Sequence, residues 1–140
     1  MTTAELIGTI LVRDLGGVRR CVLDAVDRAQ GQGCAPGILG VAVGGDRVTG
    51  YERSKELLLR KLGTPNPDPR LDALEKRLAE ELNTLGIGPM GYGGRTTVLG
   101  VHLAEMFRHP ASFFVSISYM CWSSRRMDLV LEPDGRVLFP

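Results

Sequence analysis

Apolar residues recur at helical spacing in some stretches of this chain and in short unbroken runs in others, and that alternation predicts the elements. From Gly17 to Ala29 the residues Val18, Cys21, Val22, Ala25 and Ala29 fall on one helical face, and Gln30 to Gly33 stops the helix. Gly37 to Val43, "GILGVAV", is short, apolar and glycine-bounded, which predicts a buried strand. Gly44 and Gly45 then allow a turn or a close approach to a ligand. A helix is expected from about Thr49 to Leu62. After the proline-spaced connector "GTPNPDPR", Asp68 and Pro69 are good start chemistry for a second long helix. Leu71, Leu74, Leu78, Leu82 and Leu85 form its stripe, and Gly86 ends it.

Five glycines crowd Gly86 to Gly94. Strands are expected at Thr96 to Glu105 and at Ser112 to Met120, where Phe114, Ser116, Ser118 and Met120 share one side. "MDLVLEPDGRVLF" predicts a hairpin turning at "EPDG". The opening "LIGTILV" could form a short strand. The sum is an α+β chain with a mixed, largely antiparallel sheet and about three flanking helices, in a single domain spanning 1–140. Short loops allow the last strands to be antiparallel neighbours.

Composition narrows the functional classes. A chain of 140 residues, 44% hydrophobic and 24% charged, can build one real core. Its 17 basic and 16 acidic residues give a net charge of +1, with no electrostatic footprint for nucleic acid. No apolar run approaches the ~20 residues of a membrane span, and no secretory leader is evident. Three cysteines, an odd number, fit a reduced cytoplasmic protein whose thiols are free to bind metal.

Candidate chemistry begins at Cys34, between a glycine-rich turn and Pro36. A thiol at such a reversal can act as a small buried hydrophobe, a nucleophile or a soft-metal ligand. Cys121 closes the "SFFVSISYM" strand, and Arg125 and Arg126 follow. A guanidinium there can hold a carboxylate bidentately, or both arginines can be a solvated pair. His109 stands twelve positions before Cys121 and is either a donor, acid or base, or structural. His102, inside an apparent strand, reads as structural. "GIGPMGYGGRTT" lacks the Lys-Ser/Thr ending of a phosphate loop, "GGDR" lacks the dinucleotide spacing, and no Gly-x-Ser-x-Gly elbow occurs.

The order of "GQGCAPGILGVAVGG", "LEKRLAEELNTLGIGPMGYGGRTTVLGVHL" and "FRHPASFFVSISYMCWSSRR" resembles the α part of the iron–sulfur-dependent hydro-lyases, from about Val18 to Arg126. That family includes class I fumarate hydratase and L(+)-tartrate dehydratase. The resemblance implies a 4Fe–4S cluster on three cysteines, two of them matching Cys34 and Cys121, with one iron left open as a Lewis acid. It implies substrate contact by His109, and Arg125 is a candidate for the substrate carboxylate. Thr96 and Gly45 lie in similar segments without an assigned role.

The first cluster cysteine of the family lies in a Cys-Gln-Asp-like motif, in an N-terminal half expected to be missing here. Cys21, on a core-facing stripe, is a poor replacement. The β part, with further basic residues and the base, is also expected to come from elsewhere. The chain therefore resembles the C-terminal half of the α part: a split subunit, an excised domain or a degenerate relative.

Three functions follow. The first is a hydro-lyase component acting on fumarate/malate or tartrate, inactive alone, in a homo- or hetero-oligomer with an N-terminal α segment and a β part. The second is a binding or assembly module without a cluster, its two sulfurs buried apart. The third is a mononuclear zinc or iron site of Cys34, Cys121 and His109.

Overall fold

The computed structural model describes residues 14–139. The expected "LIGTILV" strand lies outside them. Helix α1 is Leu15–Ala29, capped by Asp14, whose carboxylate accepts from the Gly17 amide at 2.7 Å. A 3₁₀ turn at Gln30–Gln32 leads through Cys34 into β1, Gly37–Val43, buried at every position. Helix α2, Arg47–Leu57, starts in a reciprocal cap between Asp46 and Thr49. It ends five residues before the expected Leu62, because the chain leaves the helix in tight turns over Leu58–Arg60 that leave Leu59 exposed.

Helix α3, Pro69–Thr84, begins at the expected Asp68–Pro69 start. Leu71, Leu74, Leu78 and Leu82 are buried, while Leu85 caps the end at the surface. Strands β2, Val98–Glu105, and β3, Val115–Tyr119, follow, then a short hairpin of β4, Val130–Leu131, and β5, Val137–Leu138.

The sheet order is β2-β1-β3. β1 pairs in parallel with β2 and antiparallel with β3, and β4 with β5 is antiparallel. The class is the expected α+β, with three helices around a mixed sheet. Short loops do make β4 and β5 neighbours. They do not do so for β2 and β3: the most apolar strand, β1, takes the centre, where both of its edges are hydrogen-bonded and both faces covered.

The two faces are covered differently. Leu39, Val41 and Val43 of β1 join Val101, Leu103 and Val115 in a core closed by Val18 and Val22 of α1 and Leu78 and Leu82 of α3. Arg19 of α1 grips Glu81 of α3 with two bonds, at 2.6 and 2.9 Å. The other face carries small and polar groups, and α2 lies directly on it. Ser54 Oγ meets Ser118 Oγ at 2.6 Å, and a Cβ at Gly40 would stand 1.9 Å from the Ser54 carbonyl oxygen. Only glycine at position 40 lets the helix come this close.

The free edge of β2 is served by side chains. Asn83 accepts from the Thr97 and Val98 amides at 2.7 and 2.9 Å, and buried Glu75 accepts from the Leu103 amide at 2.7 Å. Asn66 donates to the Leu103 carbonyl at 2.9 Å. These groups satisfy backbone that a further strand would otherwise pair.

Candidate functional site

Two turns meet at one end of the β1–β3 ladder. Cys34 sits just before β1 and Cys121 just after β3, and antiparallel pairing brings both to the same sheet end. The Met120 amide, donating to the Ile38 carbonyl at 2.9 Å, carries the ladder one step further toward them. The two side chains are close enough for Cys34 to influence the Cys121 thiol. Cys34 is half-buried and Cys121 exposed.

Each turn is held by neighbours. Ala35–Pro36 is a cis peptide, and Ala35 is fully buried. Trp122 Nε1 donates to the Cys34 carbonyl at 2.9 Å. Arg125 donates to the Pro36 carbonyl at 2.7 Å and lies over the Trp122 ring at 4.8 Å. Tyr119 rests its ring against Gly33 and Gly37 and donates to the Thr97 carbonyl at 3.3 Å. The glycine-rich segment forms the outer buttress. The Met90 amide donates to the Ala35 carbonyl at 3.1 Å, and a Cβ at Gly91 would stand 2.6 Å from the Gly31 Cα. The segment therefore packs backbone on backbone behind the Cys34 turn.

The thiols of the chain have different environments. The Ser123 hydroxyl and amide, aimed at the Cys121 sulfur, pull its pKa down, with smaller help from Cys34 and the Trp122 amide. Donors on a thiolate are what a metal-bound sulfur needs. Burial, and secondarily the Asp24 charge, push the Cys21 thiol up to about 11. Cys21 is a core residue, as its place on the apolar stripe predicts.

A hollow of about 680 Å³ is lined by residues that flank Cys121 in sequence, Met120 and Ser124 among them. Arg60, Lys61, Arg125 and Arg126 line it, against Asp128 as the acidic residue, and Met120 is part of its apolar wall. Arg125 belongs to both features. Neither Arg125 nor Arg126 is a free solvated group, since Arg126 donates to the Leu59 carbonyl.

His109 is elsewhere. It lies in the β2–β3 loop, at the Val43 end of β1, while the cysteines are at the Gly37 end. Seven strand residues at ~3.3 Å each put about 20 Å between them. The His109 Nδ1 accepts from the Ala111 amide at 3.1 Å within its own exposed turn. This corrects the mononuclear reading: His109 cannot share a metal ion with Cys34 and Cys121 of the same chain, because β3 intervenes. Among the described residues no group of three or more His, Cys, Asp or Glu side chains converges as a metal site.

His102 has the structural role expected of it. It is buried and its Nδ1 donates to the Leu57 carbonyl at 2.8 Å. Gly44 and Gly45 make a turn, their amides donating to the Phe114 and Phe107 carbonyls at 2.8 and 3.0 Å. Tyr119, Trp122 and Ser123 were not legible as site residues. The one available signal was the run "CWSS" at a strand end, an aromatic donor and hydroxyls directly after a cysteine.

The pair tests well as part of a cluster's donor set. The two cysteines stand on neighbouring turns, and the Ser123 and Trp122 donors shift the Cys121 thiol toward thiolate. A site-differentiated 4Fe–4S cluster takes three thiolates, and this chain brings two together.

Comparison with known proteins bears on the same region. The family profile described as Fumarate hydratase (Fumerase) matches residues 5–130. A Geobacillus stearothermophilus relative named for class I fumarate hydratase is 51% identical over 122 residues, 87% of this chain and 24% of the relative. The L(+)-tartrate dehydratase subunit alpha of Escherichia coli K12 is 36% identical over 118 residues, 84% of this chain and 39% of the subunit. A Methanocaldococcus jannaschii relative named for the same subunit is 39% identical over 121 residues, 86% of this chain and 42% of the relative. The chain thus spans less than half the length of these relatives. No helix among the described residues is long and apolar enough to cross a membrane.

Proposed function

The chain belongs to the fumarate hydratase (Fumerase) family, and we propose that it is one component of an iron–sulfur hydro-lyase, holding two of the three cysteine ligands of a 4Fe–4S cluster. The reaction is loss or addition of water between a hydroxy dicarboxylate and its unsaturated partner, fumarate/malate or tartrate. The carrying observation is the meeting of Cys34 and Cys121 across the β1–β3 end. It is the opposite of the separated sulfurs that a cluster-free assembly module predicts.

Hydroxide is a poor leaving group and the proton beside a carboxylate is weakly acidic. When bound, a cluster with one open iron supplies a Lewis acid for the departing hydroxyl. The chain's own residues do the rest of their share. Cys34 and Cys121 would hold the cluster, and the Ser123 and Trp122 donors favour the thiolate form of Cys121 that ligation requires. Arg125 is tied to the Cys34 turn at the Pro36 carbonyl and lines the basic hollow, where a substrate carboxylate gains a cation that is already oriented. His109 is a substrate contact in this reading at a site closed by another copy of the chain, since ~20 Å separates it from its own cysteines. The third cysteine and the base come from an N-terminal α segment and a β part, consistent with relatives more than twice as long and with the subunit named in one of them.

The test is anaerobic loading with ferrous iron and sulfide, in the presence of those two parts from a relative. Iron content and visible charge-transfer absorption are expected in the wild type, together with dehydration of malate or tartrate. Cys34→Ser and Cys121→Ser are expected to lose the iron while keeping the wild-type far-ultraviolet dichroism. Equal iron in the double serine variant, or an iron-loaded assembly that dehydrates neither acid, would overturn the proposal.

A further inference from the structure

We propose that Cys34 and Cys121 form a closable dithiol, a modification site at which small disulfides of the glutathione class are reduced and an intramolecular Cys34–Cys121 disulfide is made. The inference rests on the geometry of the pair alone and holds whether or not the hydro-lyase reading does.

Four observations converge. The chain has three free cysteines, and two of them, Cys34 and Cys121, stand on neighbouring turns at one end of the β1–β3 ladder. Two bonds tie one turn to the other: Trp122 to the Cys34 carbonyl at 2.9 Å and Arg125 to the Pro36 carbonyl at 2.7 Å. The two thiols differ in access, Cys121 exposed and Cys34 half-buried, which sets an order of attack. The remaining cysteine, Cys21, is 2% exposed in the α1 core and cannot compete.

The chemistry balances as follows. The Cys121 thiol gives up its proton, and its sulfur attacks one sulfur of the small disulfide. The disulfide S–S bond breaks, releasing one small thiolate, which takes up that proton. A mixed disulfide remains on Cys121. Cys34 then loses its proton and attacks the Cys121 sulfur from the neighbouring turn. The mixed bond breaks and the second small thiol leaves with that proton. Two protein thiols have been oxidised by two electrons, and one small disulfide has been reduced to two thiols. With both sulfurs joined to each other, neither is available as a metal ligand, so the same exchange closes the ligand pair and a dithiol reductant reopens it.

The experiment uses the metal-free 140-residue chain, incubated without oxygen with oxidised glutathione, then denatured for thiol counting and peptide mapping. Free thiols are expected to fall from three to one, with Cys21 the survivor and the Cys34 and Cys121 peptides joined. The rate should not depend on protein concentration. Cys34→Ala is expected to stop with one glutathione on Cys121, and Cys21→Ala to close as the wild type does. Three persisting thiols, a cross-link through Cys21, or a wild type that stops at the same adduct as Cys34→Ala would each overturn the proposal. The wild-type map decides the matter even if a variant fails to fold. Because no iron or substrate is present, failure here leaves the hydro-lyase reading standing, and failure of cluster loading leaves this one standing.

Discussion

Burial of a histidine on the small-residue face of a sheet favours the neutral base over the cation. His102 is 3% exposed, and its Nδ1–H donates to the Leu57 carbonyl. Burial is the main force lowering its pKa below the ordinary 6.5, opposed by the bond to Leu57. The sign follows from that direction. Below about 6.5 the unfolded chain binds a proton that the folded chain resists, so stability present above that value is lost as pH falls through the folded pKa. One proton can supply at most about 1.4 kcal/mol per pH unit. His102→Asn keeps a donor for Leu57 and removes the titration. Urea unfolding between about pH 7 and about pH 5 should therefore show a flatter stability profile for the variant than for the wild type. Parallel profiles would mean that the histidine binds its proton equally in the folded and unfolded chains over this range, and that burial does not lower its pKa.

At the scale of elements, α2 shows what a helix with no leucine stripe can do. It buries Gly50, Ser54 and Leu57, and it touches the sheet through backbone rather than through large side chains. Gly40→Ala would push a methyl group to 1.9 Å from the Ser54 carbonyl oxygen, so the helix must shift. A loss of about 1–3 kcal/mol is expected, the usual cost of overpacking, read as a lower denaturant midpoint. Adding Ser54→Gly should not rescue it, because the obstacle is the carbonyl of residue 54 and not its hydroxyl. Rescue would show that side-chain crowding sets the packing.

This contrast also explains what could be read along the chain. Helix α3 announces itself through Asp68, Pro69 and four buried leucines, and β1 through a glycine-bounded run with no polar residue. The end of α2 did not, since Leu58, Leu59 and Leu62 extend an apolar look past the point where the chain turns. The strand order was hidden as well, because pairing is decided by which strand is covered on both faces and not by loop length. For the site, Cys34 and Cys121 were legible as types and their meeting was not. Spacing suggested that His109 lies near Cys121, but the five residues of β3 carry the chain across the sheet between them.

At the scale of the molecule, large apolar side chains are unevenly exposed. The C-terminal hairpin carries Met127, Leu129, Val130, Leu131, Val137, Leu138 and Phe139, each at least 46% exposed. Two-residue strands joined by one turn bury little against each other and have marginal stability of their own. The described core, by contrast, is assembled from α1, α3 and the three-stranded sheet, with no hairpin residue in it. Removing residues 129–140 should then cost the folded domain less than ~1 kcal/mol and move its thermal midpoint by under about 4 °C. The same truncation removes an apolar surface that favours association, so sedimentation at high concentration should show less self-association than the full chain. A midpoint depressed far beyond that range would mean that the hairpin packs on the domain in solution. The division between a self-sufficient three-stranded core and an appended apolar ribbon would then be wrong.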